Sequence, residues 1–390
     1  MPAIDRLLMC LKEAGGSDLH LADGQPPWLR KLGQLAVLPD EPALAPDALS
    51  AILREIAPPA SWERGERTGD TTFAYSPDGQ TRFRVNCYRH NGGRGAACRL
   101  IPGAIPPLTE LGLAPVLADF ARQRAGLVLI AGQAGAGLST TAASLCQEVA
   151  TTQTRRILTL EDPIEFIVPS RRSTVVQRQI GAHGPSVAVC LREAVRAGFD
   201  VVYAGELRSR EIIALALTVA ESGVLLLATL RAGSVIRALE HILGQFPEEQ
   251  QQWVRCMLAN TLRGLSVQHL VARADGASRC AVNEVLAGTP GVCTALREGY
   301  ISKLNVMIQS GTADGMITMD ESLYKKVESR AITAAEALAH AVEKSRIQGL
   351  VKEPEAPPAP GGPTATAKVG LPGPQTMAGR TQFLPRRPGG

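Results

Sequence analysis

From Gly126 onward the chain alternates between continuous apolar runs and stretches of helical periodicity. The runs are GLVLIA (126–131), RILTL (156–160), DVVYAGE (200–206) and VLLLATL (224–230). Between them Leu191 with Val195, and Ile212, Leu215, Ala216 and Val219, recur at three- and four-residue spacing. Strands apolar on both faces that alternate with amphipathic helices predict a parallel sheet covered by crossover helices. After Val235 the pattern is mostly helical, with one further strand pair predicted at 265–271 and 279–285.

Upstream of about residue 108 the grammar is different. Short β-like runs are expected at 33–37, after Pro26 and Pro27, and at 71–75, before an S-P-D-G turn. At 81–88 the residues Phe83, Val85 and Cys87 alternate with polar partners, which predicts a half-buried antiparallel strand. A helix over 46–56 completes a small α+β unit, and IPGAIPPLTELG (101–112) reads as a proline-stiffened connector. Residues 351–390 hold nine prolines and seven glycines with Phe383 as their only aromatic residue, so a disordered tail is expected there.

Composition narrows the classes. The 390 residues are 45% hydrophobic, enough for one or two buried cores. The 41 Lys and Arg against 37 Asp and Glu leave a net charge of +4, and much of that excess sits in the tail as Lys352, Lys368, Arg380, Arg386 and Arg387. A near-neutral body argues against nucleic acid as the main partner. Eight cysteines are scattered without a C-x-x-C pair and read as reduced core residues; the six histidines show no ligand spacing. The N-terminal segment has acids and a Lys within an amphipathic pattern, unlike an export signal, and the apolar run 224–230 is far short of the roughly 20 residues of a membrane-spanning helix. A cytoplasmic location without membrane insertion is expected.

The strand GLVLIA runs directly into Gly132, Gln133, Ala134, Gly135, Ala136, Gly137, Leu138, Ser139 and Thr140, followed by a helical pattern. A strand, a glycine-rich turn and a helix N-terminus offer backbone N–H groups and a positive dipole end to an anion. The frame is that of G-x-x-x-x-G-K-[ST], with Ser139 where a hydroxyl would hold Mg²⁺. Leu138 stands in the place of the lysine that reaches the terminal phosphates and neutralises charge in the transition state.

With these elements in order the sequence resembles the PilT-type retraction ATPases of type IV pili, within the broader secretion ATPases. The resemblance spans about residues 15–345: GSDLHL and PPWLRKLGQL near the start, RFRVN (82–86), RLIP (99–102), the phosphate loop, ILTLEDPIEF (157–166), AGELRSREIIALALTVAESG (204–223), the segment 228–264, and NEVLAGTP through 311. It implies a RecA-like P-loop NTPase domain with a parallel sheet over 109–350, preceded by a small α+β, PAS-like domain and connector over 1–108, and followed by the tail. It also implies ATP and Mg²⁺ as cofactors. Glu161, Asp162 and Glu165 would form the acidic box that positions Mg²⁺ and the attacking water, with Asp162 beside Ser139 at the metal, and Glu206 would be the Walker B glutamate. Arg82, Arg84 and Arg99 match positions that supply cations to nucleotide bound in a neighbouring subunit. Partners implied are PilT-like subunits in a homo- or hetero-hexamer and a pilus platform protein at the inner membrane.

Two departures from the family pattern bear on activity. The histidine box reads Thr229-Leu230-Arg231-Ala232-Gly233-Ser234, so Arg231 replaces the histidine, and Arg196-Ala-Gly-Phe-Asp200 replaces a charged turn before Walker B. Arginine offers a permanent cation but does not exchange protons near neutral pH. Two readings follow: a pilus-retraction ATPase whose hydrolysis is weakened by Leu138 and Arg231, or a non-hydrolysing regulatory or structural subunit that assembles with an active relative.

Overall fold

The computed structural model describes residues 2–31, 34–39, 41–45, 48–276 and 278–349. The tail expected to be disordered lies outside these residues, as do Gly33, Pro46 and Asp47 at the edges of two predicted elements.

The N-terminal part is one antiparallel sheet backed by helices. Its strands are β1 (Asp18–Ala22), β2 (Trp28–Lys31), β3 (Gln34–Val37), β4 (Asp70–Tyr75), β5 (Arg82–His90) and β6 (Gly93–Ile101), in the order β3-β2-β1-β6-β5-β4. The alternation expected at 81–88 is real: Phe83, Val85 and Cys87 are buried, whereas Arg82, Arg84 and Asn86 face the other way. Leu7, Leu8 and Leu11 of the helix Ala3–Glu13 and Leu49 and Leu53 of the helix Ala48–Ile56 close that core. Strand register aligns the polar face, with Arg84 opposite Arg99 and Arg99 opposite Asp18.

The larger part carries a seven-stranded sheet: β7 (Gly126–Gly132), β8 (Arg156–Glu161), β9 (Thr174–Gln179), β10 (Val201–Glu206), β11 (Leu225–Leu230), β12 (Leu262–Ala272) and β13 (Arg279–Ala287), ordered β13-β12-β7-β11-β10-β8-β9. Every neighbouring pair from β12 to β9 is parallel, and β13 returns antiparallel on β12. All seven residues of β7 and all six of β11 are buried, as strands covered on both faces must be. The predicted strand pair is the hairpin β12–β13, and it extends the main sheet by joining β7. Because the central strands are parallel, the ends of β7, β8, β10 and β11 open on one edge, where ligands bind in such sheets.

The proline-rich segment 101–112 links the two parts. It holds a short 3-10 turn at Leu108–Glu110 and is stitched to the helix Leu138–Thr152: Ser144 Oγ donates to Pro106 O at 2.7 Å and Gln147 Nε2 to Ile105 O at 3.2 Å. Its carbonyls lack cross-strand partners, and side chains of the helix supply them. Ile101, Ala143 and Phe166 pack together, so the end of β6 rests on that helix and on the loop after β8.

Candidate functional site

The phosphate loop forms because glycine is required twice. A Cβ on Gly132 would lie 2.7 Å from Gln268 O and 2.9 Å from the Ala136 Cβ, and Gly137 has φ +84° where it opens the helix Leu138–Thr152. No side chain caps that helix, so its first amides are presented by the backbone alone. Leu138 turns back over the loop: it packs on the main core, with Cδ2 close to Gly132. An isobutyl group there gains burial and offers no charge.

Gln268, in the middle of β12, braces the loop from beneath. Its Oε1 accepts from Thr141 Oγ1 at 2.9 Å and its Nε2 donates to Ala136 O at 2.5 Å, with the side chain 1% exposed. Sequence reasoning passed over it. The available signal was a lone amide, flanked by Val267 and His269, in a strand that is mostly buried, where such a group is costly unless it is bonded.

One cleft of about 580 Å³ gathers residues 133–140 with Glu161, Asp162, Glu165, Glu206, Arg84, Arg99 and Arg231, while Gly132 lies just behind the loop. Arg84 and Arg99, anticipated at a neighbour's nucleotide, lie on the cleft of their own chain. The packing of Ile101 on Phe166 and Ala143 holds the end of β6 there. Arg82 Nη2 donates to Ile164 O at 2.9 Å and Arg84 Nη1 pairs with Glu165 Oε1 at 2.6 Å, tying the antiparallel sheet to the acidic loop. Arg99 Nε pairs with Asp18 Oδ1 at 2.7 Å.

The acidic side holds two carboxylates in contrasting states. Glu161 is pushed upward by burial, partly offset by hydrogen bonds from Thr159 Oγ1 at 2.6 Å and Gln177 Nε2 at 3.1 Å. For Glu206 burial also acts upward, but two cations outweigh it and hold the carboxyl below its ordinary value. Arg231 Nε meets Oε1 at 2.7 Å, and Arg208 Nε meets Oε2 at 2.9 Å. Arg208 was not singled out from the sequence; only the adjacency of β10 and β11 reveals the pair of arginines on one acid.

A backbone cradle for an anion, hard oxygen donors and a cluster of arginines beside carboxylates define a phosphate-handling P-loop site. The profile of the type II/IV secretion system protein family matches residues 81–356. Among curated relatives, the type IV pilus retraction ATPase PilT of Pseudomonas aeruginosa is 34% identical over 344 residues, 88% of this chain and 98% of that protein. The type IV pilus ATPase PilU of the same organism is 34% identical, covering 89% of this chain and 91% of that one. Among solved structures, the pilus retraction motor PilT with bound ADP superposes with a TM-score of 0.79 at 31% identity, over 89% of this chain and 99% of that chain. The chain belongs to the type II/IV secretion system protein family, in its PilT-like branch. No helix of the described residues is long and apolar enough to cross a membrane.

Proposed function

We propose that the protein is a PilT-like subunit of a type IV pilus retraction machinery that binds ATP in this cleft and hydrolyses it weakly. The observation that carries the reading is the joint state of Leu138 and Glu206. The loop carries no cation at position 138, where Leu138 packs partly buried against the core, and the acid that would polarise an attacking water is bound by both Arg208 and Arg231. The loop fits phosphate, since glycine leaves its backbone open and the first helix amides are uncapped. The Ser139 hydroxyl and the Asp162 carboxylate, both on the cleft, suit Mg²⁺, a hard ion that takes oxygen donors and keeps several waters. When bound, Mg²⁺ and the nucleotide supply the electrophilic phosphorus and the shielding of its charge. The chain's own part is to seat the phosphates on residues 133–140, to hold Glu161 through Thr159 and Gln177, and to balance charge with arginines.

A lysine at position 138 would contribute roughly 1.5–3 kcal/mol through a charge-assisted contact, so its loss lowers affinity by about 10–100-fold and affects turnover more, where charge develops. A ring with PilT-like subunits and a platform protein at the inner membrane is the assembly this reading requires, with the chain on the cytoplasmic side. The double arginine contact on Glu206 also favours a second reading, a regulatory or structural subunit that does not hydrolyse and assembles with an active relative. The test is ATP affinity and hydrolysis rate of the purified protein, alone and mixed with an intact PilT-like homologue. Binding with slow turnover supports the first reading, absence of turnover with an altered rate of the homologue supports the second, absence of binding rejects the first, and no turnover with no effect on the homologue rejects both.

A further inference from the structure

Arg84, Arg99, Arg208 and Arg231 line the cleft, and each is paired with a carboxylate. A phosphate bound in the loop would have to draw a cation away from one of them, and the pairs differ in what departure leaves behind. Removing Arg99 strips Asp18, whose side chain is 8% exposed, of its cation and leaves, among the described residues, the Ser17 hydroxyl as the donor to that carboxylate. Removing Arg84 strips Glu165, at 18% exposure. Leaving either carboxylate half-buried and uncompensated is costly. Arg231 is different. Its side chain is 60% exposed, it holds Glu206 by Oε1 through Nε, and Arg208 still holds Oε2 when it leaves. Arg208, 62% exposed, shares these traits, but it follows β10, whereas Arg231 follows β11, the strand that pairs directly with the loop's own β7.

We infer that Arg231 is an exchangeable cation that leaves Glu206 for the terminal phosphate of a nucleoside triphosphate, so that this residue stands in for the missing lysine and makes the site select triphosphate over diphosphate. The inference rests on the nucleotide-binding reading given above. A terminal phosphate carries more charge than a carboxylate and accepts the planar guanidinium by two parallel bonds, whereas an exposed ion pair is a weak competitor. A diphosphate seated in the same loop lacks the group that would draw Arg231 away. Transfer of Arg231 also releases one oxygen of Glu206 at the moment a triphosphate is present, which couples the two halves of the site.

The test measures dissociation constants for ADP and for a hydrolysis-resistant β,γ-imido analogue of ATP, both with Mg²⁺, in wild type and four variants. Arg231→Ala is expected to weaken the triphosphate analogue by about tenfold or more while ADP changes less than twofold, and Arg231→Lys to restore part of the loss. Glu206→Gln frees the arginine and is expected to tighten the analogue several-fold. In the double variant Arg231→Ala with Glu206→Gln most of that gain is expected to disappear, because of the two arginines that Glu206 held only Arg208 is then left to free. Equal losses for analogue and ADP on Arg231→Ala, or a Glu206→Gln gain that persists undiminished without Arg231, would overturn the inference and leave nucleotide binding intact. Failure of wild type to bind either ligand would instead remove the underlying reading. Circular dichroism and melting of each variant separate these results from loss of fold.

Discussion

The two walls of the cleft are built from different materials. The phosphate-loop wall is backbone: Gly132 and Gly137 shape it, Gln268 braces it, and the position that would carry charge holds Leu138, partly buried against the core. The facing wall is side chain, an array of arginines held on Glu165, Glu206 and Asp18. A backbone wall survives substitution of a single side chain, because its donors are peptide groups that every residue has. A side-chain wall is redefined by one substitution, as the arginine at 231 shows by taking hold of Glu206. Anion recognition and catalytic competence can therefore part company within one cleft.

The backbone wall should break hardest. In Gly132→Ala the added methyl meets Gln268 O at 2.7 Å, so β7 and β12 must separate at the base of the loop. Overpacking of this kind costs typically 1–3 kcal/mol, and more where the obstacle is backbone. We expect a melting temperature lowered by several degrees and loss of measurable ADP binding. A variant that keeps wild-type affinity would show that the loop is not shaped by this contact. Gln268→Leu comes next: it leaves Thr141 Oγ1 and Ala136 O without their buried partner, a loss of about 1–3 kcal/mol in stability. Nucleotide affinity should fall with it, and Gln268→Glu should not rescue, since a carboxylate cannot donate to Ala136 O.

Leu138→Lys sharpens the comparison by returning a charge to the backbone wall. ATP binding should tighten by about tenfold, with only a partial rise in hydrolysis while Arg231 remains on Glu206. Leu138→Lys combined with Arg231→His should raise hydrolysis further and more than additively if both act on one transition state. With a lysine in place, Arg231→Ala should weaken triphosphate binding less than it does in wild type. Unchanged affinity and rate in Leu138→Lys, set beside a wild type that already turns over briskly, would reject the weakened-hydrolysis reading.

How far this contrast could be read from the chain follows the same division. The loop was legible because glycine spacing after an apolar strand encodes a backbone shape directly. β7, β10 and β11 were legible because burial on both faces leaves continuous apolar runs. β9 was not: it is the sheet's edge, its pattern TVVQRQ is partly exposed, and no run or alternation marks it. The helix Pro59–Thr68 escaped notice for a related reason, since Gly65 is its buried residue and Trp62, which packs on the core, is the only large apolar side chain in it. The candidate acids were found as residues but their states were not. The contact of Arg231 with Glu206 spans 25 positions and exists because β10 and β11 are neighbours, a property of topology. The seat of Arg84 and Arg99 on their own chain's cleft likewise depends on Ile101 packing against Phe166, which no local pattern announces.

The smallest expected effect separates two acids on adjacent strands of the side-chain wall. Glu206 has a folded-state carboxyl below its ordinary value of 4.5, since the hydrogen bonds from Arg231 and Arg208 outweigh burial. A lowered value means that ionised Glu206 stabilises the fold above the ordinary value, and that this contribution fades as pH falls through the folded one. Glu161 has a raised carboxyl because burial dominates, so its ionised form penalises the fold at neutral pH and the penalty is relieved on acidification. Glu206→Gln should therefore lower the melting temperature at pH 7, with the difference from wild type shrinking toward zero as pH drops below the ordinary glutamate range. Glu161→Gln should raise it at pH 7, and that gain should shrink in acid as wild-type Glu161 takes up its own proton. Melting curves of wild type and both variants between pH 7 and pH 4 read the two slopes. Differences of the same sign would mean that the arginines do not govern Glu206, and that both acids answer to burial alone.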